Sequence, residues 1–71
     1  MHNDSIYDEL RTLESEEARA ERLLAAQEAL IVVLRQNNQD TSEAQATLGQ
    51  MLKDQEVRQE RRRRLLSLLQ R

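Results

Sequence analysis

The fold is decided by six consecutive polar residues at the middle of the chain, Asn37-Asn38-Gln39-Asp40-Thr41-Ser42. Most of these residue types are poor helix formers and good helix caps, so they predict a loop over about residues 37–42. The 71-residue chain has one Gly, no Pro and one aromatic residue, and consists largely of Leu, Ala, Glu, Gln and Arg. These are strong helix formers, and sheets depend on the residue types that are scarce here. The composition therefore predicts one all-α domain over residues 1–71.

A heptad-like pattern occupies the half of the chain before this loop. Seven of nine positions from Ile6 to Leu34, taken in alternating steps of four and three, are apolar, as on one face of an amphipathic helix. Leu23 and Leu30 lie beside this stripe and widen it. Residues 3–5 are all good N-caps, so we expect a first helix over about residues 5–36.

The half of the chain after the loop carries signals for a second helix. Asp40 with Glu43 can form a capping box at its start, as can Ser42 with Gln45. The apolar residues fall into two clusters, one near each end, separated by a mostly polar interval. We therefore expect a second helix over about residues 43–70.

The two expected helices match when the chain is folded back at the loop. Leu48 then comes opposite Ile31, and Leu52 comes opposite Gln27. An antiparallel helical hairpin is favoured over its main rival, one uninterrupted helix in a long parallel coiled coil, because that helix would place the polar loop residues at its seam. The predicted core consists of Ile6, Leu10, Leu13, Ala20, Leu24, Ile31, Leu34, Leu48, Met51, Leu52, Leu66 and Leu69.

The charges follow the same folding. Residues 1–36 carry eight acids and four bases, whereas residues 37–71 carry five acids and seven bases. In a hairpin the basic segment of the second helix comes alongside the acids of the first. Exposed ion pairs add little energy each, so we expect them to set register and orientation. The residues expected in this role are Glu14, Glu17, Glu21, Arg58, Arg61 and Arg62.

The run Arg61 to Arg64 also suggests an alternative, the binding of phosphates in RNA or DNA. Four successive helical residues point in four directions, the net charge is −2, and no aromatic residues are interleaved for base stacking. These features disfavour nucleic acid as the partner. Pairing with the acidic first helix is the simpler interpretation, and an acidic protein surface is a further one.

The apolar segment Ala29 to Leu34 indicates a protein partner. Val32 and Val33 face away from the main stripe of the first helix. Isolated exposed apolar residues are common. β-Branched residues, however, weaken a helix slightly and have no local reason to lie on its solvent side. We therefore predict a second buried interface formed by Ala29, Val32 and Val33.

The residue types that chemistry requires are scarce in this chain. It has no Cys and a single histidine, His2, so one chain cannot build a disulfide framework or a zinc or haem site. The serines have no candidate base near them in sequence, and there is no Gly-rich phosphate loop. The longest apolar run is too short to span a bilayer, and the acidic start does not fit a signal peptide. We predict a cytoplasmic, non-enzymatic protein without catalytic residues, cofactor, metal or membrane span.

Three short strings in the sequence resemble a known family: Leu10-Arg11-Thr12-Leu13-Glu14, Ala26-Gln27-Glu28-Ala29-Leu30 and Leu34-Arg35-Gln36-Asn37-Asn38. With the size of the chain, they make about residues 10–45 similar to the small E-type co-chaperones of bacterial type III secretion systems. Those proteins act with a larger helical-repeat partner to keep the needle subunit soluble in the cytoplasm. The resemblance implies that one face of the hairpin docks on such a partner, in agreement with the second interface predicted above.

The size of the chain points to association. Chains this small, without disulfides or metal, usually need another polypeptide to complete their core. We expect a bundle or coiled coil with a second copy or with a different protein, hence a homo-oligomer or a hetero-oligomer. The predicted function is protein binding by an adaptor, small regulator or co-chaperone. The alternatives are a dimeric four-helix-bundle RNA-binding regulator that uses the Arg61 to Arg64 run, and a purely structural coiled-coil segment.

Overall fold

The structure, a computed structural model, describes residues 2–70, and their side chains from residue 5 onward. It contains two helices, α1 (His2–Gln36) and α2 (Ser42–Leu69), and the described residues form no strand. The all-α prediction is confirmed. α1 begins at His2 rather than near residue 5, so Ser5 lies within the helix instead of capping it.

The two helices pack side by side as an antiparallel hairpin. The described chain measures 55 × 15 × 13 Å. A 35-residue helix is about 52 Å long at 1.5 Å per residue, so α1 alone accounts for the long dimension. One uninterrupted helix over the chain would be about twice that length. The hairpin prediction is therefore confirmed, and the single long helix is ruled out.

The end of α1 is closed by a Schellman motif centred on Asn38. Asn38 has a φ of 57°, in the left-handed region that Asn tolerates better than most residues. Its amide donates to the Arg35 carbonyl at 3.0 Å, and the Gln39 amide donates to the Leu34 carbonyl at 2.8 Å. These bonds satisfy two carbonyls that a helix end leaves free and turn the chain towards α2.

The start of α2 is organised by Asp40. Its Oδ1 accepts hydrogen bonds from the Ser42 hydroxyl at 2.7 Å and from the Ser42 amide at 3.0 Å. These two donors lower the pKa of the Asp40 carboxyl below its ordinary value. The N-cap residue is Thr41, whose side chain makes no capping hydrogen bond, so neither predicted capping box forms. The loop between the helices consists of residues 37–41.

The seam between the helices follows the predicted stripe of α1. Its nine positions are buried or half-buried, and all other α1 residues from Ser5 onward are exposed. The most buried are Leu13 and Ile31, at 4% and 6% exposure. Leu23 and Leu30 remain outside the seam. The seam is therefore one residue row wide and buries little beyond its own stripe.

The seam of α2 corrects the predicted core at three positions. Leu52 is 43% exposed, because the three-and-four spacing of the seam runs through Met51 and Gln55 and leaves Leu52 on the flank. Ala44 and Leu65 were not in the predicted core and are its buried residues in α2, at 8% and 7% exposure. The other eleven predicted core residues are buried or half-buried.

Candidate functional site

The second half of α1 exposes apolar side chains outside the seam. The three residues predicted to contact a partner all lie at the surface: Ala29 is exposed, and Val32 and Val33 have exposures of 51% and 49%. Such exposure is what an interface with another chain requires of a free hairpin. Whether a partner covers these residues stays a prediction.

A second apolar stripe on α1 was missed as a separate feature of the sequence. It consists of Leu23, Ala26, Leu30 and Val33, and we call it the lateral stripe. Its residues follow steps of three, four and three, so they share one side of the helix, next to the seam. Leu23 and Leu30 are 55% and 45% exposed. The spacing could have identified this stripe, but the same leucines also fitted the edge of the hairpin core.

Two clefts between the helices adjoin the lateral stripe. Leu23 borders a cleft of about 130 Å³ whose walls include Leu24 and Met51. Leu30 borders another cleft together with Ala44 and Glu43. Leu23 and Leu30 are seven residues apart, about 10 Å along the helix, which is the spacing of equivalent positions in successive heptads. This side of the hairpin can therefore receive the side chains of a third helix.

The middle of the seam in α2 is polar, since Gln55 and Arg58 are half-buried there. Nearer the loop, the Gln27 side-chain amide donates to the Ala44 carbonyl at 2.9 Å, across the hairpin. The Nε atom of Arg58 is buried without a hydrogen-bond partner. Burying a donor without an acceptor costs free energy. The middle of the hairpin is therefore held less well than its two ends.

The residues predicted to set the electrostatic register do not form direct ion pairs with one another. Among the described side chains, ion pairs join Arg11 to Asp8 at 2.8 Å and Arg63 to Glu60 at 2.9 Å, each within one helix. Glu17 borders a shallow cleft with Arg62 and Arg63, so acids and bases do lie alongside each other. Arg61 to Arg64 are exposed to solvent. Water screens their charges, so a closer ion pair with an acid of α1 would add little to stability.

The side chains of residues 5–70 contain no group of three or more His, Cys, Asp or Glu arranged to hold a metal ion. Neither helix is long and apolar enough to cross a membrane. The feature with the chemistry of a binding site is the exposed apolar surface of α1.

Comparisons with models of protein families, with curated proteins and with solved structures find no match for this chain. The resemblance of residues 10–45 to the E-type co-chaperones therefore stays a prediction.

Proposed function

We propose that this protein is a non-enzymatic protein-interaction module, an adaptor, small regulator or co-chaperone that acts by packing α1 against a partner. One observation carries this proposal. Ten of the twelve residues from Leu23 to Leu34 are apolar, and the seam covers Leu24, Ile31 and Leu34 among them. A helix that is apolar around its whole circumference is normally a buried helix. α1 of the free hairpin is buried on one side only.

The thin core of the hairpin supports the same proposal. Four apolar side chains are buried, and no side chain in the described part of the chain is below 2% exposure. Small domains gain stability in proportion to the apolar area that they remove from water. A partner that covers the second half of α1 adds the burial that the hairpin lacks. Binding and completion of the fold are then one process.

A co-chaperone role is the specific form that the sequence resemblance suggests. In that role the apolar surface of α1 docks on a larger helical protein. The charged remainder of the hairpin, acidic along α1 and basic near the end of α2, sets the orientation of docking.

Site-specific photocross-linking tests the proposal. A photoreactive benzophenone side chain is placed at Val33, which is 49% exposed, and in a matched variant at Gln50, which is exposed on α2. We expect a covalent protein adduct from Val33 and none from Gln50 when the chain is expressed in its own cells. Helical circular dichroism establishes that both variants fold. The absence of any protein adduct from Ala29, Val32 and Val33 would overturn the proposal.

The second candidate function is RNA binding by a dimeric form of the protein. It is favoured by the exposure of all four residues of the Arg61 to Arg64 run and by the absence of ion pairs between this run and the described side chains of α1, residues 5–36. Changing all four to Gln should abolish RNA binding and flatten its salt dependence if this function is correct. Under the protein-interaction proposal, the same variant keeps its cross-link from Val33.

A further inference from the structure

We propose that the lateral stripe of α1 binds a second copy of this chain, in an antiparallel arrangement that forms a four-helix bundle. This inference rests on the proposed function and names the partner for one side of α1. It is carried by three observations: the order of large and small residues along the stripe, the charges at its two ends, and the surface area of the free hairpin.

The stripe is complementary to itself when two copies run in opposite directions. One register places Leu23 opposite Val33 of the second copy, and Ala26 opposite Leu30 of the second copy. Each contact then pairs a larger side chain with a smaller one, which is how facing helices fill the space between them. Because the same residues meet from both sides, the arrangement has the two-fold symmetry of most homodimers.

The charges at the ends of the stripe favour this orientation. Arg19 is exposed and continues the stripe by one turn before Leu23. In the antiparallel register it lies at the loop end of the second copy. That end carries the exposed acids Asp40 and Glu43, which border the same cleft as Leu30. A parallel pairing would instead bring Arg19 beside Arg19 of the second copy, and like charges disfavour it.

The surface of the hairpin is large for its mass. The chain has a mass of 8.3 kDa and exposes 5836 Å². A compact monomer of that mass exposes about 4,600 Å², so the hairpin has an excess of about 1,200 Å². Each partner in a stable interface of ordinary size buries about 800 Å². The excess is enough for one such interface.

Light scattering on the purified full chain tests whether the partner is a second copy. We expect twice the 8.3 kDa chain mass for the wild type. Leu30→Glu should weaken the dimer by about tenfold or more, because it buries an unpaired charge at the interface. The matched control is Val57→Glu, which alters an apolar residue that is 68% exposed on α2, outside the stripe, and should leave the dimer intact. A wild type that stays monomeric, or a dimer that resists Leu30→Glu, would overturn the inference.

A charge exchange keeps the test decisive if Leu30→Glu fails to fold. Arg19→Glu and Glu43→Arg alter exposed residues, and each alone should weaken the dimer. A mixture of the two variants should associate more tightly than either variant alone, because the heterodimer restores both attractive pairs. Equal dimer affinity in all four samples would contradict the antiparallel register.

The two proposals fail in different ways. A folded monomer that forms a cross-link from Val33 to a different protein would overturn self-association and support the protein-interaction function. A chain that forms no cross-link to any protein, itself included, would overturn both.

Discussion

The side-chain amide of Gln27 and the backbone carbonyl of Ala44 form a hydrogen bond of 2.9 Å across the hairpin. Gln27 lies in the seam of α1, and Ala44 lies in the first turn of α2. The bond joins the two helices near the loop, in the same part of α1 as the buried Ile31. It gives the loop end of the hairpin a specific polar contact as well as apolar burial.

Changing Gln27 to Ala should lower the free energy of unfolding by about 1 kcal/mol, because the bond is lost and a half-buried side chain is truncated. Gln27→Leu also loses the bond, but the apolar side chain that it buries in the seam should offset the loss and keep the stability close to the wild type. Urea unfolding, monitored by circular dichroism, measures the free energy of unfolding of both variants. Gln50→Ala is the control, since Gln50 is exposed and bonds to Asp54 within α2. An equal loss in Gln50→Ala would contradict a role for the interhelical bond.

The corrected core predicts unequal effects for two leucines of α2. Leu65→Ala should cost about 2 kcal/mol or more, because Leu65 is buried at 7% exposure. Leu52→Ala should cost less than about 1 kcal/mol, because Leu52 is 43% exposed. Chemical unfolding of both variants under the same conditions tests the assignment. The reverse order would restore Leu52 to the core and shift the seam by one residue.

Arg58 offers a stabilising substitution. Its Nε is buried without a hydrogen-bond partner, beside Leu24 and Met51. Arg58→Met places an apolar methyl group where Nε lies and removes the unsatisfied donor, so it should raise the free energy of unfolding by about 1 kcal/mol. The control, Arg62→Met at an exposed position, should change it little. A destabilised Arg58→Met would show that the guanidinium has a partner in solution.

Gly49 is a weak point of α2. It is exposed, and a Cβ added there would meet nothing within 4 Å. Gly49→Ala should therefore raise the free energy of unfolding by about 1 kcal/mol, since glycine disfavours a helix interior. A melting temperature of Gly49→Ala that is equal to or lower than that of the wild type would contradict this prediction. It would indicate that another chain approaches α2 closely at this position.

Asp40 gives the hairpin a pH dependence of known sign. The Ser42 donors lower the pKa of its carboxyl in the folded state, so the folded state binds this proton less tightly than the unfolded state does. The stabilisation is complete above the unfolded pKa of about 3.9, and it is lost as the pH falls through the lower folded value. Asp40→Ala should therefore lower the melting temperature at pH 7 relative to the wild type. The difference between the two proteins should shrink below about pH 3. A difference that does not depend on pH would contradict the assignment.

The spacing of apolar residues was sufficient to predict the fold and the α1 half of the seam. The apolar residues from Ile6 to Leu34 repeat in alternating steps of four and three, and the polar residues after Gln36 end this repeat. The buried face of α1 could therefore be assigned without coordinates. In α2 the polar interval around Arg58 breaks the pattern. The exposure of Leu52 and the burial of Leu65 therefore depend on where α1 packs against α2, which the sequence pattern does not show.

Two helices joined by a polar turn could be predicted from the residue pattern alone, because periodicity and helix propensity are local properties of neighbouring residues. The packing of the two helices was needed to show which leucines are buried, that Gln27 bonds to Ala44, and that the Arg61 to Arg64 run forms no ion pair with the side chains described for α1. It also separated the lateral stripe from the core. These features depend on how the two helices are positioned against each other. One helix can rotate or slide by a fraction of a turn against the other while the apolar periodicity of both sequences stays the same.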